Sequence, residues 1–208
     1  MSNLIITIIS IALVAIAALM AAWYGGSAFS NGAVTAQANT MIAQAEQIAS
    51  AIRLWSSDNG GQQTASIANG SGSCRINGSP FETLLINGKY LQSTPGQAFH
   101  SGLCGTSYHN YVPGSWAISP DGNCTASTPL KVIVATFGND AYLQTNCDFP
   151  VSTVDQSKIC DAINKTQGVT TPPVINSWGS LATAVGSYPY ICEKNTGFNI
   201  YFFVYKVL

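Results

Sequence analysis

The sequence has little charge: only 8% of its 208 residues are Asp, Glu, Lys or Arg, and the formal net charge is −1. Typical globular proteins carry about 25% charged residues. Because there is no basic or acidic excess, strong electrostatic binding to nucleic acid or to anionic lipid is not expected. A chain that buries much of its surface against copies of itself needs few charges, although the abundant Ser, Thr, Asn and Gly also solvate a surface.

The sequence also lacks the motifs of the common enzyme classes. It contains no G-x-S-x-G, H-E-x-x-H, P-loop or G-x-G-x-x-G pattern. A general base or a metal site would have to use His100 or His109. Its acidic partner would be Asp121 or Asp140. Histidines among Gly, Ser and Tyr are more often solvated loop residues, so we predict no enzyme activity, no metal and no cofactor.

An aromatic cluster formed by Tyr108, Tyr111 and Trp116 has two interpretations. Such side chains stack on sugars or bases in binding proteins. They also fill the space against a sheet or line a contact between subunits. We favour packing, because no other feature of the sequence indicates a sugar or nucleic-acid site.

Charge is absent altogether from the N-terminal part of the chain. Residues 4–23 (LIITIISIALVAIAALMAAW) contain no charged side chain, and the first one in the protein is that of Glu46. A helix of this length spans about 30 Å, the thickness of a bilayer's hydrocarbon core. Trp23 and Tyr24 follow where interfacial aromatic residues are usual. The run therefore predicts an apolar helix, residues 1–24, that is long enough to cross a membrane.

The apolar run lacks the flanks of a signal peptide or of an ordinary anchor. It contains no Lys or Arg and is longer than the apolar core of a usual signal peptide. A membrane anchor normally carries basic residues on its cytoplasmic side. The simplest hypothesis is that a basic leader has been removed and that Met1 is the mature N-terminus.

Residues 25–56 predict a second, amphipathic part of the same helix. Gly25, Gly26 and Gly32 weaken a helix by about 1 kcal/mol each, which indicates a flexible or locally melted stretch. Residues 57–61 (SDNGG) predict its end. The alternative is a membrane span followed by a stalk such as a coiled coil. Apolar residues recur at spacings of four and three and form one stripe: Val34, Ala38, Met41, Ala45, Ile48, Ile52 and Trp55.

Residues 57–208 are predicted to form an extracytoplasmic α+β head. Residues 130–137 (LKVIVATF) and 198–208 (FNIYFFVYKVL) predict strands, the second with apolar side chains on both faces. Residues 115–119 and 142–147 are weaker strand candidates, and residues 154–165 fit a short helix. The predicted fold class is α+β: a long N-terminal helix, apolar then amphipathic, packed on an antiparallel sheet with disulfide-tied loops.

All six cysteines lie in this head, and none forms a C-x-x-C pair. Neither histidine has zinc-finger spacing from a pair of cysteines. An even number of scattered cysteines behind an apolar segment favours disulfides in an oxidising compartment, with free buried thiols as the alternative. The cysteines are Cys74, Cys104, Cys124, Cys147, Cys160 and Cys192.

The order of these features resembles the type IV pilins and pseudopilins over roughly the first 95 residues. Met1 and Ser2 are similar to the mature start of the type IVb subclass. Residues 54–60 (LWSSDNG) resemble the family's exit from the helix, and residues 84–95 (LLINGKYLQSTP) resemble its L-x-x-x-G-Y-L-x-x-x-P passage.

The resemblance implies a homopolymeric surface filament whose core consists of N-terminal helices. The implied pair Cys160–Cys192 encloses the C-terminal loop region; of the others we predict Cys74–Cys104, which leaves Cys124–Cys147. The residues implied for the filament core are Met1, Leu4, Ile5, Ile8, Ile11, Val14 and Leu19. The residues that would pack the helix on the head are Val34, Met41, Ala45, Ile48, Ile52 and Trp55.

The chain departs from the family at the fifth position, where a glutamate is usual and this sequence has Ile5. In the family that carboxylate pairs with a neighbouring α-amine, and an unpaired buried ammonium is costly. A backbone carbonyl or lipid would have to neutralise the amine, or the register would differ, or the chain would be a minor tip subunit.

By the same resemblance the implied partners are copies of the chain, a prepilin peptidase, assembly motors and a platform protein. The chain would be held in the inner membrane before assembly, with a methylated N-terminus. The filament would act in adhesion, aggregation, conjugation, or DNA or phage capture, with a host surface as a further partner. The alternatives are a pseudopilin or minor pilin of a secretion or competence machine, and a single-anchor extracytoplasmic binding protein.

Overall fold

The structure of the protein, a computed structural model, describes residues 2–65, 76, 79–95, 116–118, 128–138, 156–170, 172–175, 185–195 and 200–208. It is an α+β fold, as the sequence predicts. In chain order its elements are α1 (Ser2–Asp58), β1 (Thr64–Ala65), α2 (Pro80–Asn87), β2 (Trp116–Ile118), β3 (Thr128–Pro129), β4 (Val132–Gly138), α3 (Gln156–Thr166), β5 (Val174–Ile175), β6 (Tyr190–Asn195) and β7 (Ile200–Lys206).

Helix α1 is continuous over 57 residues. It runs through Gly25, Gly26 and Gly32 without a break, so the predicted melted stretch is wrong for this structure. Propagation of a helix is cooperative, and the flanking Ala-rich turns outweigh the local cost of the glycines. The predicted end is correct: α1 stops at Asp58, and Gly60 and Gly61 follow with φ values of 70° and 80°.

The main sheet has five strands in the order β2-β4-β7-β6-β5. β2, β4, β7 and β6 pair antiparallel, whereas β5 pairs parallel with β6 at the edge. The predicted antiparallel sheet is therefore confirmed for these four strands and wrong at β5, because two parallel neighbours such as β5 and β6 are joined by a crossover connection rather than by a hairpin. β1 and β3 form a separate two-stranded ladder.

The predicted elements of the head largely coincide with the observed ones. β7 lies within predicted residues 198–208, β4 overlaps 130–137, β2 lies within 115–119, and α3 overlaps the predicted helix 154–165. The predicted strand 142–147 lies outside the described residues. β7 is the central strand, and its side chains from Tyr201 to Tyr205 are buried on both faces. That burial explains why its sequence is apolar without alternation.

The second part of α1 packs on this sheet together with α3. Its stripe joins one apolar cluster with Ile159 of α3 and Phe203 of β7. Trp55 contacts Phe81 of α2 edge to face, with ring centroids 5.0 Å apart. Every residue predicted for the stripe is buried: Val34, Ala38, Met41, Ala45, Ile48, Ile52 and Trp55.

Two further contacts tie the head together. Arg53 of α1 donates hydrogen bonds to the carbonyl oxygens of Val207 (2.8 Å) and Lys206 (3.2 Å), so the helix holds the C-terminal end of β7. Cys160 of α3 and Cys192 of β6 form the disulfide that the resemblance implies, with their Cα atoms 5.3 Å apart. A closed loop of this size stabilises the fold by about 3–4 kcal/mol.

Candidate functional site

The candidate site is the N-terminal part of α1, residues 6–29, which we call the apolar segment. The large apolar side chains that the structure describes in this segment are between 52% and 81% exposed. Such a concentration of exposed apolar surface marks an interaction site in a folded protein. These side chains are Ile6, Ile8, Ile9, Ile11, Leu13, Val14, Ile16, Leu19, Met20 and Phe29.

The exposed side chains surround the whole helix rather than forming one stripe. Ile8 and Ile9 are 59% and 53% exposed although neighbours in sequence point about 100° apart on a helix. Val14 and Ile16, separated by about 200°, are 69% and 52% exposed. A helix that is apolar all round is stable only when it is enclosed on several sides, by other helices or by lipid.

Two hydroxyl groups, one in the apolar segment and one beyond it, bond within the helix. The Ser10 hydroxyl donates to the Ile6 carbonyl oxygen at 2.9 Å. Further along, the Thr35 hydroxyl donates to the carbonyl oxygen of Asn31 at 3.0 Å. Hydroxyl groups satisfied in this way do not need water, so their transfer into an apolar environment costs little.

The residues implied for the filament core fall in this segment where the structure describes them. Ile8, Ile11, Val14 and Leu19 are 59%, 65%, 69% and 71% exposed. Met1 and the side chains of Leu4 and Ile5 lie outside the described part. Within that part, no helix is both long enough and apolar enough to cross a membrane.

The residues implied for packing against the head lie on the same helix, immediately C-terminal to the apolar segment. Met41, Ala45, Ile48 and Ile52 have no exposed surface, while Val34 and Trp55 are 5% and 6% exposed. The transition from exposed to buried apolar side chains therefore falls between Phe29 and Val34. α1 thus has one part that the head covers and one part that the chain itself leaves uncovered.

Sequence reasoning missed a buried carboxyl group on β6. Glu193 has no exposed surface, and neither carboxylate oxygen has a hydrogen-bond partner within the described residues. It lies opposite Phe202 of β7. Burial raises the pKa of Glu193 to about 8, so its neutral form is the stable one at physiological pH. The sequence of β6, YICEKN, does not alternate between apolar and polar residues, so it gives no sign that Glu193 is buried.

Asn164 of α3 is a second buried polar group that the sequence did not single out as structural. Its Nδ2 donates to the carbonyl oxygen of Cys192, and its Oδ1 accepts from the N–H of Cys192, both at 2.8 Å. Asn164 also begins the sequence Asn-Lys-Thr, a glycosylation sequon. Because its amide nitrogen is buried and bonded, Asn164 is not an acceptor for a glycan in the folded chain.

The enzyme and ligand candidates from the sequence gain no support. His100, His109, Asp121 and Asp140 lie outside the described residues. Inside them, no group of three or more His, Cys, Asp or Glu side chains is placed to hold a metal.

Of the predicted aromatic cluster, the described part of the chain includes only Trp116. Trp116 is buried against Phe203, with ring centroids 6.2 Å apart, so it packs the sheet rather than offering a stacking surface. Tyr108 and Tyr111 lie outside the described part. So do the cysteines of the other two predicted disulfides: Cys74, Cys104, Cys124 and Cys147.

Comparison of the chain with protein-family models, with curated proteins and with solved structures finds no match. Its function therefore has to be inferred from its residues and their placement.

Proposed function

We propose that the chain is a structural subunit that polymerises through its apolar segment into a surface filament of the type IV pilus kind. The observation that carries this proposal is the difference between the two parts of α1. One part is buried against the head, and the adjoining part exposes large apolar side chains that surround the helix, ten of them among the described residues. A helix with these properties requires partners.

The length of the segment supports a filament core. The segment rises about 36 Å, and nothing along it up to Glu46 carries a charge. Identical subunits packed side by side would therefore meet no repulsion between like-charged side chains along this segment. The head on the far part of the helix would remain outside and keep the hydroxyl, amide and charged side chains in water.

The energy of covering the segment also supports several neighbours rather than one. Completely burying one large aliphatic side chain yields about 1.5–3 kcal/mol, so covering these partly exposed ones yields on the order of 10–20 kcal/mol. Association costs about 4–15 kcal/mol in lost freedom. One neighbour covers only one side of the helix, so a bundle is the arrangement in which the gain clearly exceeds the cost.

The finer features of the proposal come from the family resemblance. They are a prepilin peptidase, assembly motors and a platform protein as partners, residence in the inner membrane before assembly, and an extracellular filament afterwards. The head loops would meet host surfaces, DNA or phage. The Cys160–Cys192 bond and the packing of α1 on the sheet are consistent with a head of this kind.

Electron microscopy of material sheared from the cell surface tests the proposal, with its main band identified by mass spectrometry. We expect thin filaments made largely of this chain. A Leu19→Asp variant places a charge in the apolar segment and should abolish them. The matched control is Leu54→Asp, because Leu54 is also a half-exposed leucine of α1, 53% exposed, but lies on the part that carries the head.

Each other outcome contradicts the proposal of a major subunit. Filaments in which the chain is a trace component would indicate a minor pilin or pseudopilin. A chain that stays with membranes and forms no filament would indicate a single-anchor binding protein. Filaments that persist in Leu19→Asp would show that the apolar segment is not the polymerisation site.

A further inference from the structure

The Cys160–Cys192 disulfide lies inside the core of the head. Neither cysteine has any exposed surface, and both belong to the apolar cluster between α1, α3 and the sheet. Phe203 of β7 lies directly opposite Cys192 in the sheet and is also completely buried. Thiol–disulfide exchange requires direct contact between the attacking sulfur and a sulfur of the bond that breaks. The assembled head therefore shields these two cysteines from an oxidant.

The strand that completes this core is β7. In the order β2-β4-β7-β6-β5 it joins the β2-β4 pair to the β6-β5 pair, and its residues follow those of every other described element in the sequence. It pairs with β6 at every residue from Tyr190 to Asn195. Until β7 pairs, β6 lacks the only antiparallel partner that the described part of the chain gives it. Cys192 then also lacks its cover by Phe203.

α3 and β6 are joined by contacts that do not involve β7. Asn164 follows Cys160 by four residues, so the two side chains leave the same face of α3. The Asn164 side-chain amide donates to the carbonyl oxygen of Cys192 and accepts from its N–H, each at 2.8 Å. The Cα atoms of the two cysteines are 5.3 Å apart, a separation that a disulfide spans without backbone movement. Asn164 thus holds the two thiols within reach of each other.

We propose that the Cys160–Cys192 bond forms in an open head, in which Asn164 already holds β6 beside α3 but β7 has not yet paired, and that β7 then covers it. The reacting partner is an external disulfide. The thiolate of one cysteine attacks a sulfur of that disulfide, which gives a mixed disulfide and releases the other sulfur as a thiolate. The thiolate of the second cysteine then attacks the protein's sulfur in the mixed disulfide. The two cysteines lose two electrons and two protons, and the external disulfide is reduced to two thiols.

This order gives Asn164 a role in selecting the partner of Cys192. The chain has six cysteines, which allow 15 connectivities. An amide that fixes Cys192 beside Cys160 raises the effective concentration of this one pair over the others. Asn164 is a positioning residue, because its amide acts on the backbone of Cys192 rather than on either sulfur. The inference concerns the head alone and does not depend on the proposed filament.

The first test uses the full-length chain in detergent with Val204→Pro, which removes a ladder hydrogen bond in the middle of β7 and prevents its pairing. The reduced chain is oxidised with glutathione disulfide, quenched with an alkylating reagent and mapped by mass spectrometry. We expect a share of Cys160–Cys192 at least about twice that of the same chain oxidised in concentrated urea. Val204→Pro/Asn164→Ala should fall to the urea value. The matched control, Val204→Pro/Asn87→Ala, changes an exposed asparagine of α2 and should keep the share of Val204→Pro.

The second test compares rates, with near-ultraviolet circular dichroism showing whether the reduced wild type is folded. A folded wild type should form Cys160–Cys192 at least about a hundredfold more slowly than Val204→Pro, because its sulfurs react only through rare opening. A reduced wild type that does not fold also supports the inference, since β7 then pairs only after the bond exists. Equal rates in the folded wild type and in Val204→Pro would overturn it. So would a share in Val204→Pro that does not exceed the urea value, or one that Asn164→Ala leaves unchanged.

Discussion

Replacing Asn164 by alanine should destabilise the head more than any other exchange of a single uncharged polar side chain on α3. Asn164 is completely buried. Its side-chain amide donates to the carbonyl oxygen of Cys192 and accepts from the N–H of Cys192, each at 2.8 Å. β5 pairs with β6 only at Lys194 and Asn195, so at Cys192 this edge of β6 has the Asn164 side chain as its partner. The Asn164 side chain thus supplies the hydrogen bonds that a neighbouring strand would otherwise supply.

The size of the effect follows from what the variant leaves behind. Asn164→Ala removes the side chain but not the N–H and C=O of Cys192, which stay buried without partners. Each unpaired buried group costs about 1–3 kcal/mol, so the expected loss is about 2–5 kcal/mol in the free energy of unfolding. Asn164→Asp should also destabilise, because a carboxylate can accept from the N–H but cannot donate to the carbonyl oxygen.

Urea unfolding of the full-length chain in detergent, followed by tryptophan fluorescence, measures this loss. The control is Asn87→Ala at the exposed end of α2, which should change stability by less than about 0.5 kcal/mol. Mass spectrometry under non-reducing conditions confirms that the Cys160–Cys192 bond is intact in each variant. A loss below about 1 kcal/mol for Asn164→Ala would show that water or another group replaces the amide and would refute the reasoning.

Three further predictions concern the head. Because the pKa of Glu193 is raised from 4.5 to about 8, the folded chain holds a proton that the unfolded chain releases between these values. Stability from this group is therefore complete below pH 4.5 and falls as the pH rises toward 8. Glu193→Gln should remove that fall, which is on the order of 3 kcal/mol between pH 5 and 8, and an unchanged pH profile would contradict the prediction. Arg53→Ala should lower the free energy of unfolding by about 1–2 kcal/mol, because the carbonyl oxygens of Val207 and Lys206 lose their hydrogen bonds. Arg53→Lys should recover part of this loss. Equal stability of the wild type and both variants would show that these hydrogen bonds do not stabilise the head. Replacing Cys160 and Cys192 together by alanine should cost about 3–4 kcal/mol, which urea unfolding of the oxidised wild type and the variant compares directly. A difference below about 1 kcal/mol would mean that α3 and β6 are held mainly by Asn164 and the core.

Much of the fold could be predicted because some features depend only on local periodicity. The stripe from Val34 to Trp55 follows the helical repeat, and each of its members is buried. The end of α1 is encoded in the two glycines after Asn59, which take positive φ values. β7 was recognisable because a strand covered on both faces needs apolar side chains throughout.

Other features depend on contacts between distant parts of the chain and leave no local signal. The parallel pairing of β5 with β6 involves only two residue pairs, Val174 with Lys194 and Ile175 with Asn195. β6 itself contains adjacent Glu193 and Lys194, an unfavourable pattern for a buried strand, and forms because β7 pairs along its whole length. The sequence Asn-Lys-Thr at Asn164 resembles a surface glycosylation sequon, and only the packing of α3 beside Cys192 shows that Asn164 is buried.

The glycines of α1 show how a correct local argument reached a wrong structural conclusion. Each glycine does weaken the helix, but one helix of 57 residues forms nonetheless because its turns support one another. Two of the residues that were expected to weaken α1, Gly26 and Gly32, instead leave its surface open, because a Cβ at either position would meet no atom within 4 Å. The boundary between the two parts of α1 is therefore the place where the head stops covering the helix, and under the proposed function other copies of the subunit would cover the rest.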